Sequence, residues 1–570
     1  MANVDCETKR QKRCAAARPA ATACESGDAP VIDEGAVSPT EGRAAPTAGG
    51  DRVVKVAVAV IVVLGLFLRI WILGRAPITA DQAVVGLMAR EILHGHFFVT
   101  FWGQNYGGGE PYVVAALFAL LGQSRLALGL APVVLSAIAA LLVWRVGRRL
   151  FDQRTAVLAA LIFWVWPEVY VYLSTVEWGF RSLTLVCGLA VLLYALRLAG
   201  PRSSRLTDWA ALGLFLGLGW WCSPEIAYYA VPALLWLICC AVRRRAHLRP
   251  AAFFVLVGAT TLGALPWLVV NVGDAYQSLR PGPQPHGMPW MERLSTFFVH
   301  VAPLVLGVRL RGTGAWLGGP VFGLTLYGLL AVLIVTWVVV LALERRAVPL
   351  VVFVALFPLA YATSPFSWNW KDGRYAVYLA PVLALLVASA LSAIARRPSR
   401  LARAAPVLGL VAALALTAAA AARLAPYVPL AGSSGSRSSW TSWRADPNEW
   451  LRPLLTTLER SHVRTVYAGY SLAYPLTFEA HGRVVASYAG DAHYPPYLAV
   501  VARSRRQAWV FPTPSALGAL DAIDSVQLWL PSVTLADLES YLKQHAVPYR
   551  IQSAGYFTIV YPARAVVVGQ

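Results

Sequence analysis

Long apolar segments separated by short polar loops dominate residues 52–424 of this chain. Most of these segments approach the roughly 20 residues that an α-helix needs to cross the hydrocarbon core of a bilayer. The pattern therefore predicts an α-helical polytopic membrane protein with about 11 transmembrane helices. The predicted spans are residues 53–73, 126–146, 156–173, 182–198, 206–221, 226–242, 251–270, 321–343, 348–361, 376–394 and 406–422.

Two further apolar segments, 111–121 and 297–308, are too short to cross a bilayer. Both are predicted to be helices that lie in or near the membrane interface. Residues 1–51 lack apolar periodicity and are rich in Ala, Pro, Gly, Thr and charged side chains. Such a segment buries too little apolar surface to fold alone, so we expect a disordered cytoplasmic tail.

Residues 425–570 have a different pattern, in which short helical and strand-like segments alternate after a Gly/Ser-rich connector at 432–439. This alternation predicts a small α/β domain. The domain contains no nucleophile elbow, phosphate-binding loop or zinc spacing, so we expect it to recognise an acceptor or to serve packing. The predicted helices are 447–460, 473–480, 497–502 and 534–544, and the predicted strands are 465–467, 484–487, 509–511, 548–552 and 556–561.

The composition excludes several other classes of protein. Hydrophobic residues make up 58% of the chain, charged residues 14%, and the mean hydropathy is +0.57. The net charge of +20 comes largely from arginines clustered in loops between the spans. That distribution reflects membrane topology, so it does not indicate nucleic-acid binding. The seven cysteines lie in the tail or in and beside apolar segments, which argues against a disulfide framework.

The arginine clusters also predict the orientation. They fall on one side of the membrane, and the positive-inside rule makes that side cytoplasmic. An odd number of spans then places the N-terminus in the cytoplasm and the C-terminal domain outside the cytoplasmic (inner) membrane. The clusters are Arg145, Arg148, Arg149 and Arg154; Arg197, Arg202 and Arg205; Arg243 to Arg245; Arg345 and Arg346; and Arg396, Arg397, Arg400 and Arg403.

The first outer loop contains the main candidate for chemistry. Asp81 lies directly after the first span and is followed by the Gly-rich, aromatic run 102–110 (WGQNYGGGE). An acid near lipid usually has a function, and a carboxylate can remove a proton from an attacking hydroxyl. The structural alternative is that Asp81 caps a helix beginning at Gln82, a position that suits Asp.

Positive charge on the same predicted side suggests a phosphate ligand. The short outer loop 368–375 (WNWKDGRY) contains Lys371 and Arg374, and Arg181 lies near the start of another span. A lipid-phosphate leaving group needs fixed positive charge as its bond breaks, and Arg suits bidentate contact with phosphate. We therefore rank Arg374 first, Lys371 second and Arg181 third as phosphate ligands.

Four other residues have candidate roles with open alternatives. Glu177 and Glu225 lie at the outer ends of spans, where each would bind a divalent ion, hold an arginine or be solvated. Asn105 and Tyr106 are candidates for contact with a sugar or an acceptor. The adjacent glycines 107–109 suit either close approach of a ligand to the backbone or a plain turn. No ligand set for a metal is evident, so metal dependence stays open.

The chain resembles the GT-C superfamily of polytopic membrane glycosyltransferases in three features. These are Asp81 in the first outer loop, the run 103–108 (GQNYGG) and the segment 372–375 (DGRY) that enters a span. The similar branch contains bacterial relatives of protein O-mannosyltransferases and of the lipid A aminoarabinose transferase, which are glycosyltransferase family 39-like. The resemblance covers about residues 53–394 and the appended soluble domain.

The resemblance implies inverting transfer of a sugar from a polyprenyl-phosphate carrier to an acceptor hydroxyl on the outer face, with Asp81 as the base. It implies no definite cofactor, although a divalent cation is compatible with it, and its partners are membrane lipids and a glycan, lipid or protein acceptor. Protein O-mannosyltransferases have a second acid beside the first, where this chain has Gln82. That departure leaves the acceptor open.

Two other classes compete with this interpretation. A transporter or lipid-linked-sugar flippase would have no covalent chemistry, but such proteins often contain internal repeats and ionisable groups near the bilayer midplane. Here no repeat is evident, and the candidate ionisable groups lie at one surface. A structural scaffold would leave the clustered outer charges unexplained.

Overall fold

The computed structural model describes residues 48–200, 205–243, 250–279, 288–364, 370–371, 373–424, 449–490, 493–520 and 532–568. Most of the predicted tail, the whole connector 432–439 and Asp372 lie outside these ranges.

Helices make up most of the described chain before residue 425. They are α1 (Ala48–Leu73), α2 (Ala80–Leu93), α3 (Glu110–Leu121), α4 (Arg125–Leu150), α5 (Gln153–Val165), α6 (Glu168–Leu173), α7 (Arg181–Leu198), α8 (Leu206–Cys222), α9 (Ala227–Arg243), α10 (Pro250–Gly273), α11 (Trp290–Thr296), α12 (Ala302–Val305), α13 (Pro320–Leu343), α14 (Val348–Thr363), α15 (Ala380–Ala395) and α16 (Arg400–Leu424). A 3₁₀ turn, Pro224–Ile226, precedes α9, and a 3₁₀ helix, Arg374–Leu379, leads into α15.

Eight helices of the described chain are long and apolar enough to cross a membrane, namely α1, α4, α7, α9, α10, α13, α15 and α16. They coincide with eight of the predicted spans and confirm the polytopic helical class. The other three predicted spans contain the shorter helices α5, α8 and α14. The predicted span 156–173 is interrupted after Val165, because Pro167 lacks an N–H and the residue before a proline disfavours helical backbone.

The two predicted interfacial segments are both helical. Segment 111–121 corresponds to α3. Segment 297–308 begins with a π-helical turn, Phe297–Val301, that joins α11 to α12 in one continuous run. These short helices lie in sequence beside the loops with the candidate charges.

Close packing of α4, α5 and α15 forms the apolar core beside the site. Val143, Phe163 and Leu385 from these three helices are fully buried in one cluster. A Cβ at Gly147 of α4 would lie 3.0 Å from Ala156 Cα, so the small residue lets the backbones of α4 and α5 approach closely. These packed helices provide a rigid base for the loops at their ends.

The described part of the C-terminal region has the predicted alternation of helices and strands. It contains a five-stranded mixed sheet of order β2-β1-β3-β5-β4. Strands β2, β1 and β3 are parallel to one another, and β5 pairs antiparallel with both β3 and β4. The strands are β1 (Thr465–Tyr467), β2 (Val485–Ser487), β3 (Gln507–Pro512), β4 (Tyr549–Ala554) and β5 (Phe557–Pro562). The helices are α17 (Arg452–Arg460), α18 (Tyr470–Glu479), α19 (Pro495–Arg503), α20 (Leu517–Leu520) and α21 (Leu535–Gln544).

Alternating side chains bury both faces of this sheet. Ala508 and Val510 of β3 belong to one apolar cluster, whereas Trp509 and Phe511 belong to another. This is the two-residue period expected of a strand. The sheet therefore has a core of its own on each side.

Helix α18 also packs on α2, far away in sequence. Tyr474 and Phe478 are buried in the same cluster as Val84 and Met88 of α2. A Cβ at Gly86 would lie only 2.4 Å from the ring of Phe478, so glycine is needed for this contact. The C-terminal region is thereby held against the helix that follows the first span.

Candidate active site

Asp81 lies in the first turn of α2, where the helix cap orients it. The cap is Thr79, which forms a capping box with Gln82. The Gln82 carbonyl oxygen Oε1 accepts a hydrogen bond from Thr79 N at 3.1 Å, and Thr79 Oγ1 accepts one from Gln82 N at 3.4 Å. The alternative that Asp81 itself caps the helix is therefore wrong. Gln82, where the similar mannosyltransferases have an acid, serves the cap.

The side chain of Asp81 pairs with the predicted phosphate ligand Arg374. Arg374 Nη1 donates to Asp81 Oδ2 at 2.9 Å, and the two side chains are 18% and 29% exposed, respectively. Gly373 precedes Arg374 with a φ of +75°, a left-handed conformation that glycine adopts without strain. The guanidinium also lies 4.1 Å from the ring centroid of Trp178. The pair thus joins residues 293 positions apart.

A second donor to Asp81 comes from the C-terminal region. Tyr470, the first residue of α18, donates its hydroxyl hydrogen to Asp81 Oδ1 at 2.9 Å. Sequence reasoning missed this residue. The two partners are 389 positions apart, and no local motif marks Tyr470 among the other tyrosines of the chain.

Arg181 and Glu225 form a second ion pair. Arg181 Nη2 donates to Glu225 Oε1 at 3.2 Å, and Tyr378 donates its hydroxyl to Glu225 Oε2 at 2.6 Å. The Arg181 guanidinium lies 4.7 Å from the ring centroid of Tyr375, which directly follows Arg374. Glu225 thus holds an arginine, which is one of its three predicted alternatives.

Glu177 is neither solvated nor paired with an arginine among the described residues. It is fully buried next to Glu110, which is fully buried as well. Burial raises the pKa of Glu110, and burial together with the neighbouring Glu110 charge raises the pKa of Glu177 well above its ordinary value. Two neighbouring buried carboxyl groups cannot both ionise cheaply, so this environment favours the protonated form. Glu110 Oε2 also accepts a weak hydrogen bond from Leu183 N at 3.4 Å.

The two arginines meet at a small cleft between α4, α6, α7 and the 3₁₀ helix before α15. Its lining combines basic, hydroxyl, aromatic and aliphatic side chains. The lining residues are Pro132, Leu135, Ser136, Tyr170, Leu173, Ser174, Trp178, Arg181, Ser182, Leu185, Arg374 and Val377.

Arg69 of α1 lies behind this cleft and is fully buried. Its guanidinium donates to Ser174 Oγ at 2.8 Å, to Ser136 Oγ at 3.3 Å and to the Trp164 carbonyl at 2.7 Å. Ser136 Oγ also accepts from the Tyr170 hydroxyl at 3.0 Å, which leaves its own hydrogen as a donor. The wall of the cleft is thus built from hydroxyls that a buried cation holds. Sequence reasoning missed Arg69, although an ionisable residue inside an apolar span was an available signal.

The remaining predicted site residues fall into two groups. Tyr106 is half-buried with its ring edge-on to Phe180, at 5.0 Å between centroids, and burial and the Glu225 charge raise its pKa. It therefore lies beside the Arg181–Glu225 pair. Asn105 and Lys371 are exposed, and neither joins this network through a contact within the described chain. The Lys371 carbonyl accepts a hydrogen bond from Gly312 N at 2.8 Å.

The glycine run 107–109 packs against the protein itself. A Cβ at Gly108 would lie 2.1 Å from the Val99 carbonyl oxygen, and one at Gly107 would lie 2.8 Å from the ring of Phe180. The run is a tightly packed turn leading into α3. Across the described ranges, no group of three or more His, Cys, Asp and Glu side chains is arranged to hold a metal ion.

Comparisons with known proteins agree with this architecture. Residues 109–269 match the dolichyl-phosphate-mannose-protein mannosyltransferase family. An undecaprenyl phosphate-alpha-4-amino-4-deoxy-L-arabinose arabinosyl transferase from Pseudomonas paraeruginosa is 29% identical over 235 residues. That match spans 38% of this chain and only 40% of the relative.

Solved structures extend the likeness to the whole fold. ArnT from Cupriavidus metallidurans in the apo state superimposes with a TM-score of 0.59 at 12% identity, covering 92% of this chain and 99% of ArnT. The same protein bound to undecaprenyl phosphate gives a TM-score of 0.56 at 13% identity, with coverage of 92% and 100%. The chain is therefore similar to the dolichyl-phosphate-mannose-protein mannosyltransferase family over residues 109–269, and its fold is ArnT-like.

Proposed function

We propose that the protein transfers a sugar from a polyprenyl-phosphate carrier to an acceptor hydroxyl, with inversion at the anomeric carbon. The observation that carries this proposal is the ion pair between Asp81 and Arg374 beside a cleft that Arg181 also lines. A base and two phosphate-binding cations are thus within reach of one bound molecule. The relatives named for undecaprenyl phosphate-linked arabinose, and ArnT with undecaprenyl phosphate bound, support the carrier class.

The guanidinium groups of Arg374 and Arg181 would bind the phosphate of the donor. Each arginine is already held, Arg374 over Trp178 and Arg181 by Glu225, so little side-chain freedom is lost on binding. As the bond between the anomeric carbon and the phosphate oxygen breaks, its electron pair moves to that oxygen. Fixed positive charge stabilises this developing charge without reorganisation.

Asp81 would act as the general base. The acceptor oxygen attacks the anomeric carbon, a new glycosidic bond forms, and the hydroxyl proton passes to the Asp81 carboxylate. Two donors occupy Asp81, but a carboxylate offers about four acceptor positions, so sites for the acceptor hydroxyl stay open. Positioned proton transfer of this kind contributes on the order of 10² to 10⁴-fold in rate.

The buried pair Glu110–Glu177 would support the site without contacting the reacting atoms. The raised pKa of these carboxyl groups keeps the net negative charge low close to Arg181, whose positive charge is needed by the phosphate. Glu225 and Tyr378 orient the same arginine from its other side. These neighbouring side chains thereby hold the Arg181 guanidinium in one orientation.

The membrane setting follows from the arginine clusters described above. We place the cleft on the outer face of the cytoplasmic membrane, the N-terminus in the cytoplasm and the C-terminal domain outside. The acceptor is a glycan, a lipid or a protein that carries a hydroxyl. Gln82 caps its helix instead of supplying a second acid, so the acceptor of the protein mannosyltransferases is not assigned to this chain.

The direct test is a transfer assay with purified protein in lipid nanodiscs. Undecaprenyl phosphates that carry labelled hexoses or pentoses serve as donors, with membrane glycan, lipid and protein fractions as acceptors. Wild type should transfer label from at least one donor, and Asp81→Asn should transfer at least about 10²-fold more slowly. The matched control is Glu91→Gln, which neutralises an acid on the same helix that pairs with exposed His96.

Two results would contradict the proposal. Equal rates for wild type and Asp81→Asn would remove Asp81 as the base. Absence of transfer by wild type from every donor, together with movement of the carrier across sealed proteoliposomes, would favour a flippase.

A further inference from the structure

The C-terminal region contributes a residue to the environment of the proposed base. Tyr470 and Arg374 approach the Asp81 carboxylate through different oxygens, each at 2.9 Å. One donor comes from the start of a membrane span and the other from the first residue of α18. Two donors on the two oxygens fix the orientation of a side chain that is otherwise 29% exposed.

The position of Tyr470 is set by a helix pair and not by a flexible loop. Phe478 packs against Gly86, and its carbonyl accepts a hydrogen bond from Arg90 Nη1 at 2.9 Å. From Asp81 to Arg90 along α2 is about 13 Å, and from Tyr470 to Phe478 along α18 is about 12 Å, at ~1.5 Å per residue. The two helices therefore run in the same direction, and the two contacts are separated by about the same distance along each helix.

Additional contacts hold both ends of this pair. The Arg90 guanidinium lies 4.1 Å from the ring centroid of Phe478, and its Nη2 lies 3.3 Å from His481 Nδ1. The Tyr470 ring lies 4.9 Å from His493 and 5.9 Å, edge-on, from Tyr488. The phenol therefore points at Asp81 from a supported ring.

A hydroxyl that donates to a carboxylate restricts it to one orientation. For a general base, that orientation keeps a lone pair directed at the acceptor. Loss of one hydrogen bond to a charged group that acts in the chemical step changes a rate by about tenfold or more.

We propose that Tyr470 is a positioning residue for Asp81, so that the C-terminal region is an integral part of the catalytic centre. This inference rests on the proposed function. It assigns to the C-terminal region a role in the chemical step, beyond the acceptor recognition or packing expected from its sequence.

The test compares Tyr470→Phe with wild type in the transfer assay at varied donor concentration. The variant loses only the hydroxyl. Its kcat falls about tenfold, whereas the KM for donor stays within about twofold. The matched control is Tyr561→Phe, because Tyr561 belongs to the same C-terminal region but its hydroxyl accepts from Ser461 Oγ at 3.2 Å and not from any group near Asp81. That control keeps the wild-type kcat.

A double-mutant cycle separates positioning from a general loss of structure. If Tyr470 acts through Asp81, Tyr470→Phe causes no further loss in the Asp81→Asn background. Equal fractional losses in both backgrounds, or a wild-type kcat for Tyr470→Phe, overturn the inference. A faster Tyr470→Phe enzyme also overturns it, because the hydroxyl would then be blocking the place of the acceptor. Absence of transfer by wild type overturns the proposed function itself, and the inference with it.

Discussion

Removing the Arg374 guanidinium should weaken binding of the lipid phosphate much more than it weakens the fold. Arg374 is 18% exposed, lines the cleft and lies 2.9 Å from Asp81. In Arg374→Ala, an incoming phosphate loses one cation and meets an Asp81 carboxylate that is no longer neutralised. Both changes disfavour a bound anion.

The size of the effect follows from the geometry. Two unit charges about 4 Å apart attract by about 4 kcal/mol at an effective dielectric constant of about 20. Desolvation of the arginine and loss of its bond to Asp81 offset part of this, and charge-assisted hydrogen bonds contribute a net of about 1.5–3 kcal/mol. The Kd for undecaprenyl phosphate should therefore rise about 10- to 100-fold. Arg374→Lys keeps the charge but loses the bidentate geometry, so its Kd should fall between the two.

Titration of undecaprenyl phosphate into protein in nanodiscs, followed by native mass spectrometry, measures this Kd. Arg396→Ala is the control, because Arg396 also pairs with a carboxylate, Asp152 at 3.7 Å, but lies outside the cleft. The control should bind like wild type. A Kd for folded Arg374→Ala within twofold of wild type would refute the assignment of Arg374 to the phosphate.

Three further predictions concern parts of the structure that support the site. Because burial raises the pKa of Glu177 well above its ordinary value of 4.5, the folded protein keeps this proton at pH values where the unfolded chain has released it. The unfolding free energy of wild type should therefore fall with rising pH, by at most about 1.4 kcal/mol per pH unit for one proton, and Glu177→Gln should show a shallower slope in thermal unfolding between pH 5 and 9. Arg69→Met removes the hydrogen bonds that tie α1 to α4, α5 and the turn after α6, and leaves the Trp164 carbonyl without this donor. The unfolding free energy in detergent should therefore fall by about 1–3 kcal/mol, and an unchanged transition would contradict the structural role of Arg69. Gly86→Ala places a Cβ 2.4 Å from the Phe478 ring, so α18 should separate from α2. Limited proteolysis should then cleave the C-terminal region faster, and kcat should fall about tenfold, as for Tyr470→Phe. A proteolysis pattern identical to that of wild type would contradict the packing.

Much of the fold follows from local patterns. Within the described chain, hydropathy located the eight long helices, and the alternation of helical and strand-like segments located the five strands to within two residues. Both patterns are short-range, since a helix or strand is specified by the side chains it contains. The prediction of one continuous span at 156–173 was wrong. It was based on the length of the apolar segment and did not include the helix-breaking effect of Pro167.

The pairing of Asp81 with Arg374 was only partly predictable. Topology placed both residues on the same membrane face, and the chemistry of a phosphate leaving group linked them, but a direct contact across 293 positions required the packed helices. The contributions of Tyr470 and Glu110 were not predictable from periodicity. Both depend on which long-range surfaces meet, and neither residue lies in a local motif that identifies its partner.

The central claim is that Asp81 takes the acceptor proton while the donor phosphate is held by arginine. The most direct measurement is the single-turnover rate of sugar transfer with donor bound at saturation, compared between wild type and Asp81→Asn. The rate for Asp81→Asn should fall at least about 10²-fold, with the Kd for undecaprenyl phosphate no weaker than that of wild type. A single-turnover rate within twofold of wild type would contradict the claim.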